Sequence, residues 1–222
     1  TLLCAFSGGF LPAASPSGGV WSGALPPSGP FTPNTPGSFT LTYTIGTGSC
    51  AVSSAMQVEV VNAAPVSAGT DFGTCADHDP VPLTGTPANG TWSGHGVFGG
   101  VFDPAQANNG NHALVYTVVD VNGCTMRDTI HVLRSPLPVV NAVDAITYCD
   151  QPFVQQLPPA TPASGTWSGT HVSGSGAFTP NGTGEFAAVY TFIDEHTCVG
   201  RDTAWVTVVA IDVPAEAGTY AA

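Results

Sequence analysis

The sequence predicts an all-β chain of three tandem β-sandwich domains, each with one disulfide. Three observations carry that prediction: a phrase repeated three times, a pair of cysteines around each copy, and strand-like segments punctuated by Gly and Pro. The phrase reads Gly19-Val20-Trp21-Ser22-Gly23, Gly90-Thr91-Trp92-Ser93-Gly94 and Gly165-Thr166-Trp167-Ser168-Gly169. A Phe-x-Pro follows each, at Phe31-Thr32-Pro33, Phe102-Asp103-Pro104 and Phe178-Thr179-Pro180. Cys4 and Cys50 bracket Trp21, Cys75 and Cys124 bracket Trp92, and Cys149 and Cys198 bracket Trp167. The second cysteines recur at 124 − 50 = 74 and 198 − 124 = 74 residues. No segment keeps helical periodicity over three turns.

The period sets the organisation: 1–63, 64–136 and 137–209 are three repeats, and 210–222 is a further strand-like tail. Linkers fall near Asn62 to Pro65 and Arg134 to Pro138. In the second repeat Pro65-Val66-Ser67-Ala68-Gly69-Thr70 precedes the first cysteine, and in the third Pro138-Val139-Val140-Asn141-Ala142-Val143 does so. Both read as a short, Pro-led edge strand, which the first repeat lacks. A Pro-marked apolar segment and the Trp phrase then give two more short strands. The clearest strand of each unit follows, at Phe39–Ile45, Ala113–Val119 and Ala187–Ile193, with the alternation of a half-buried strand. Asn122-Gly123 marks a tight hairpin turn, and the last strand begins at the second cysteine. Trp21, Trp92 and Trp167, with Tyr43, Tyr116 and Tyr190, are the repeat core, although an exposed Trp would also suit stacking on a sugar.

Units near 74 residues sit at the low end of domain sizes and need cross-links. Six cysteines allow 15 pairings. Only pairing inside each repeat is expected to respect the period, which joins Cys4 to Cys50, Cys75 to Cys124 and Cys149 to Cys198. Each bond would close a loop of nearly fifty residues, worth about 4 kcal/mol in the chain-entropy model. Spacings of 46, 49 and 49 offer no Cys-x-x-Cys pair for zinc. The compartment expected is oxidising and extracellular.

Charged residues are 8% of the chain against a usual figure of about 25%. Three Arg, no Lys and 15 acidic residues give a net charge of −12, which repels phosphate backbones and anionic headgroups. Nucleic acid is therefore not an expected partner, and no apolar run is long enough for a membrane-spanning helix. Without Lys, Lys–Asn isopeptide cross-links are chemically excluded.

The order Cys, Trp-Ser-Gly, Phe-x-Pro, Tyr-Thr, Cys, Arg-Asp-Thr resembles the immunoglobulin-like repeats of large secreted and surface proteins of Bacteroidota. The resemblance covers nearly the whole chain and implies an extracellular adhesin, stalk or filament. It departs from antibody domains, because each Tyr lies seven or eight residues before the second cysteine instead of two. Asp128-Thr129-Ile130 and Asp202-Thr203-Ala204 match the O-glycosylation acceptor of that bacterial group, so glycans are expected on Thr129 and Thr203. Ser53-Ser54-Ala55 lacks the acid, and none is expected on Ser54.

No catalytic pattern recurs. Gly94-His95-Gly96-Val97-Phe98-Gly99 matches a dinucleotide fingerprint by letter, yet no helix can begin there to meet a pyrophosphate. No enzyme and no organic cofactor are expected. Asp77-His78-Asp79, Asp120, Asp194 and Glu195 carry the oxygen chemistry of a calcium site or form solvated acidic loops. The tail Ile211, Val213, Ala215 and Ala217 continues Pro214-Ala215-Glu216-Ala217-Gly218-Thr219, which is similar to Pro65–Thr70. Together with a length of three periods, this predicts a strand donated to the first repeat of the next copy in a head-to-tail homopolymer. The alternative is the stalk of a continuous surface adhesin.

Overall fold

The computed structural model describes residues 1–25 and 29–211. The first repeat contains β1 (Leu2–Cys4), β2 (Val20–Gly23), β3 (Gly37–Ile45) and β4 (Val52–Val61). They form one sheet in the order β1-β4-β3-β2, with β1 parallel to β4 and the other neighbours antiparallel. The second repeat contains β5 (Phe72–Cys75), β6 (Val81–Pro82), β7 (Thr91–Ser93), β8 (Val97–Phe98), β9 (Val101–Phe102), β10 (Gly110–Val119) and β11 (Thr125–Ser135). The third contains β12 (Ala145–Cys149), β13 (Gln155–Gln156), β14 (Thr166–Gly169), β15 (Ala177–Phe178), β16 (Gly184–Ile193) and β17 (Val199–Val209). Their large sheets repeat the first, as β5-β11-β10-β7 and β12-β17-β16-β14, with smaller sheets β6-β9-β8 and β13-β15.

Residue contacts gather the chain into two compact units. Thr1–Asp71, Val81–Phe102 and His112–His131 make the first, while Phe72–Pro80, Asp103–Asn111 and the chain from Val132 make the second. In the second unit, β17 buries Ala204, Val206 and Val208 while β16 buries Ala188 and Tyr190. Leu157 and Phe178 close the same core beside the smaller sheet. In the first unit, Leu41, Val58 and Val60 play the corresponding parts with Phe31. The alternation in β3, β10 and β16 thus reflects one buried face per strand. The Phe of each Phe-x-Pro is a core plug, with Phe31, Phe102 and Phe178 at 3%, 0% and 0% exposure.

Three expectations are corrected here. The Pro-led segments make only single bridges, Ser67 to Thr86 and Asn141 to Thr161, and the first strand of each large sheet lies just after them. Repeat 1 therefore has its own first strand, β1; what it lacks among the described residues is a segment bridging Ser15, the residue corresponding to Thr86 and Thr161.

The second correction concerns the cysteines. Cys4 bonds Cys124 and Cys75 bonds Cys198, while Cys50 and Cys149 are free and exposed. None of the three pairings within a repeat forms. A shift of one repeat is as periodic as no shift, and the hairpin cysteine of each following repeat is the partner that meets the first-strand cysteine.

Third, the Ser54 comparison moves by one residue. Ser54 faces Tyr43 as Asp202 faces Tyr190, so Ser54 corresponds to the acid and Ala55 to Thr203.

Candidate functional site: the leading-segment groove

The Trp phrase explains itself as a clamp built three times. Trp21, Trp92 and Trp167 are cross-strand partners of Tyr43, Tyr116 and Tyr190. Their rings stand 5.0, 5.0 and 5.1 Å apart. Each Tyr hydroxyl accepts the N–H of the Gly two residues before the Trp, at 2.7 Å from Gly19, 2.8 Å from Gly90 and 2.6 Å from Gly165. It donates in turn to the carbonyl of Pro16, Pro87 or Pro162 at 2.8, 2.6 and 2.7 Å. A Cβ on Gly90 would lie 2.3 Å from the Tyr116 ring, so that position has no room for a side chain. Trp167 is buried and Trp21 and Trp92 are half-buried, each against its Tyr ring.

Beside each clamp lies a shallow groove, and in two repeats the chain itself fills it. Ser67 and Thr86 exchange backbone hydrogen bonds of 2.7 and 2.8 Å, and the next N–H, of Ala68, donates to Asp128 Oδ2 at 2.8 Å. Asn141 and Thr161 repeat the exchange at 2.7 and 2.9 Å, and the Ala142 N–H donates to Asp202 Oδ2 at 2.8 Å. Ala68 and Ala142 end 2% and 1% exposed, so the segment contributes a buried methyl as well as backbone bonds. The other oxygen of each aspartate accepts the N–H of Thr129 or Thr203. The Ala68 N–H first, and the Thr129 N–H second, hold the Asp128 carboxyl below its ordinary value. The acids read as part of a glycosylation acceptor thus anchor the groove's occupant. Thr129 is exposed and Thr203 half-buried.

In the first repeat no segment among the described residues fills the same groove. Ala14, Ser15, Trp21, Tyr43, Ser54 and Met56 line a depression of about 220 Å³. Ser54 stands where the other repeats carry the anchoring acid. Ile211, the first residue of the expected donor strand, is exposed. Val213, Ala215 and Ala217 lie outside the described residues.

The hairpin aspartates are occupied locally. Asp120 Oδ1 accepts the N–H groups of Asn122 and Cys124 at 2.9 and 2.8 Å, and Asp194 Oδ1 those of His196 and Cys198 at 2.9 Å each. Glu195 lies 3.7 Å from His196 Nε2. Among the described residues no group of three or more His, Cys, Asp or Glu side chains is placed to hold a metal ion. The Gly94–Gly99 stretch runs into strand β8.

The fold class is therefore all-β, with three repeats whose large sheets share one strand order. No family model matches the chain, and no curated protein matches it. Among solved structures, Drosophila N-cadherin EC1-3 aligns over 95% of this chain and 97% of its own at 7% identity and a TM-score of 0.29. A calcium-stabilised adhesin with which an Antarctic bacterium binds ice aligns over 78% of this chain and 57% of its own, at 16% identity and a TM-score of 0.35. The insect immune protein hemolin aligns over 78% and 56%, at 13% identity and a TM-score of 0.32. At these TM-scores the likeness carries no argument about function, which rests on the repeat geometry.

Proposed function

We propose that the chain is a structural, non-catalytic subunit of an extracellular filament or surface appendage. It polymerises head to tail, the segment around Pro214–Thr219 of one copy entering the groove of the first repeat of the next. The observation that carries this reading is that one groove, at Ser15 and Ser54, has no occupant among the described residues, whereas the corresponding grooves of the other two repeats hold Ser67-Ala68 and Asn141-Ala142. Ala217-Gly218 repeats Ala68-Gly69, so Ala217 takes the buried position and its N–H meets Ser54. An added segment supplies backbone partners and a methyl to a site that otherwise faces water. Because tail and groove are different surfaces, the contact does not close on itself and it propagates. What recurs in all three repeats is Trp, Tyr and Cys in packing and cross-linking roles, which supports a structural part and not a catalytic one. Glycans on Thr129 and Thr203 would solvate a surface poor in charge.

A second reading, the stalk of a continuous surface adhesin, places the same segment in the same groove through a covalent link. Intact mass after reduction and denaturation separates the two: 22.4 kDa belongs to subunits, a much larger mass to an array. Ala217→Arg is expected to abolish filaments seen by electron microscopy while leaving the circular dichroism of the chain unchanged. Filaments that survive this substitution would remove the tail from the mechanism.

A further inference from the structure

We propose that Cys149 of one copy and Cys50 of the next form an intermolecular disulfide that seals each head-to-tail junction. Both observed disulfides obey one rule: a cysteine closing the first strand of a large sheet bonds the hairpin cysteine of the following repeat. Cys4, at the end of β1, takes Cys124, and Cys75, at the end of β5, takes Cys198. Cys149 and Cys50 are the two positions that the rule leaves without a partner inside one chain.

Each is held as its bonded counterparts are. Cys149 ends β12 in parallel register with Val209, as Cys4 pairs with Val61 and Cys75 with Ser135. Cys50 closes the turn between β3 and β4, as Cys124 and Cys198 close the turns before β11 and β17. Cys124 and Cys198 are 1% and 0% exposed, whereas Cys50 and Cys149 are exposed, as two halves of an unmade bond would be. One half is a first-strand cysteine and the other a hairpin cysteine, so a second copy of this chain offers each the partner the rule demands.

The inference rests on the head-to-tail reading and deepens it. A donated segment makes the third repeat of one copy the predecessor of the first repeat of the next. That is the relation in which Cys75 meets Cys198. One neighbour relation therefore fills the groove of the first repeat and completes the cysteine ladder.

The chemistry is a two-electron oxidation. The Cys149 thiolate attacks a disulfide-bearing oxidant, a thiol oxidoreductase or a small-molecule disulfide, and expels one of its sulfurs as thiolate. The Cys50 thiolate then attacks the mixed disulfide at the Cys149 sulfur and expels the second. The protein loses two protons and two electrons, and the oxidant becomes two thiols.

The test uses the full chain secreted through an oxidising compartment, denatured in an alkylating agent and run without reductant. A ladder at multiples of 22.4 kDa that collapses to one band on reduction is expected, with a Cys50–Cys149 cross-linked peptide beside those of Cys4–Cys124 and Cys75–Cys198. C50S and C149S should each run as single chains, and a mixture of the two should stop at covalent pairs. Alkylated Cys50 and Cys149, a Cys149–Cys149 bond, or a Cys50–Cys149 bond inside a single-chain band would each overturn the proposal. Electron microscopy of the C50S/C149S double variant separates this failure from that of the filament. Filaments without the cross-link in the natural chain would refute the disulfide alone, and the loss of both would refute the head-to-tail reading with it.

Discussion

Tyr116 and Tyr190 show how much a single hydroxyl can organise. Each joins a glycine N–H to a proline carbonyl across more than twenty residues of sequence, and each is nearly buried. Tyr190→Phe keeps the ring against Trp167 and removes both bonds, leaving the Gly165 N–H without its acceptor. The expected loss is about 1–3 kcal/mol, read as a lower denaturant midpoint at unchanged slope; an unaltered midpoint would count against the clamp.

Asp128 is a second residue-scale case, and its sign can be worked out. Its folded pKa lies below the ordinary 3.8, so the stability it contributes is complete above that value and is lost as pH falls through the lower folded value. The melting temperature of the natural chain should exceed that of Asp128→Asn near neutrality, and the gap should close below about pH 3.8. A gap that stays constant into acid would assign the effect to something other than the carboxylate.

At the scale of elements, the first strand of each large sheet is three to five residues long, and in the first two repeats it ends in a disulfide. The bonds span 120 and 123 residues, for which the chain-entropy model gives about 5 kcal/mol each. Cys75→Ser removes one and leaves Cys198 buried without its partner. It should destabilise the chain by about 2–5 kcal/mol, while Cys50→Ser, at an exposed free position, should leave the stability of a single chain unchanged. Equal effects at the two positions would contradict the observed pairing.

At the scale of the whole molecule, repetition explains both the legible and the illegible parts. Of the two readings of the acidic loops, calcium site or solvated turn, the occupation of Asp120 and Asp194 by their own hairpins favours the second, and chelation is expected to leave the melting temperature unchanged. A fall on chelation would restore those loops as ligands. The period of 74 and the strands read at Phe39–Ile45, Ala113–Val119 and Ala187–Ile193 follow from alternation and spacing that sequence carries directly, whereas the burial of the Phe in each Phe-x-Pro, which reads as a turn, appears only in the structure. The partner of each cysteine does not follow from sequence either, because a periodic chain is equally consistent with pairing at zero shift and at a shift of one repeat. Only the parallel docking of β1, β5 and β12 against the last strands, which sets where each first cysteine ends, decides between them. The aspartates before Thr129 and Thr203 were open to the same ambiguity, since a carboxylate reads alike in a glycan acceptor and in an anchor. Tertiary structure alone shows the anchoring role, by bringing the N–H groups of Ala68 and Ala142, sixty residues away, to within hydrogen-bond distance of those oxygens.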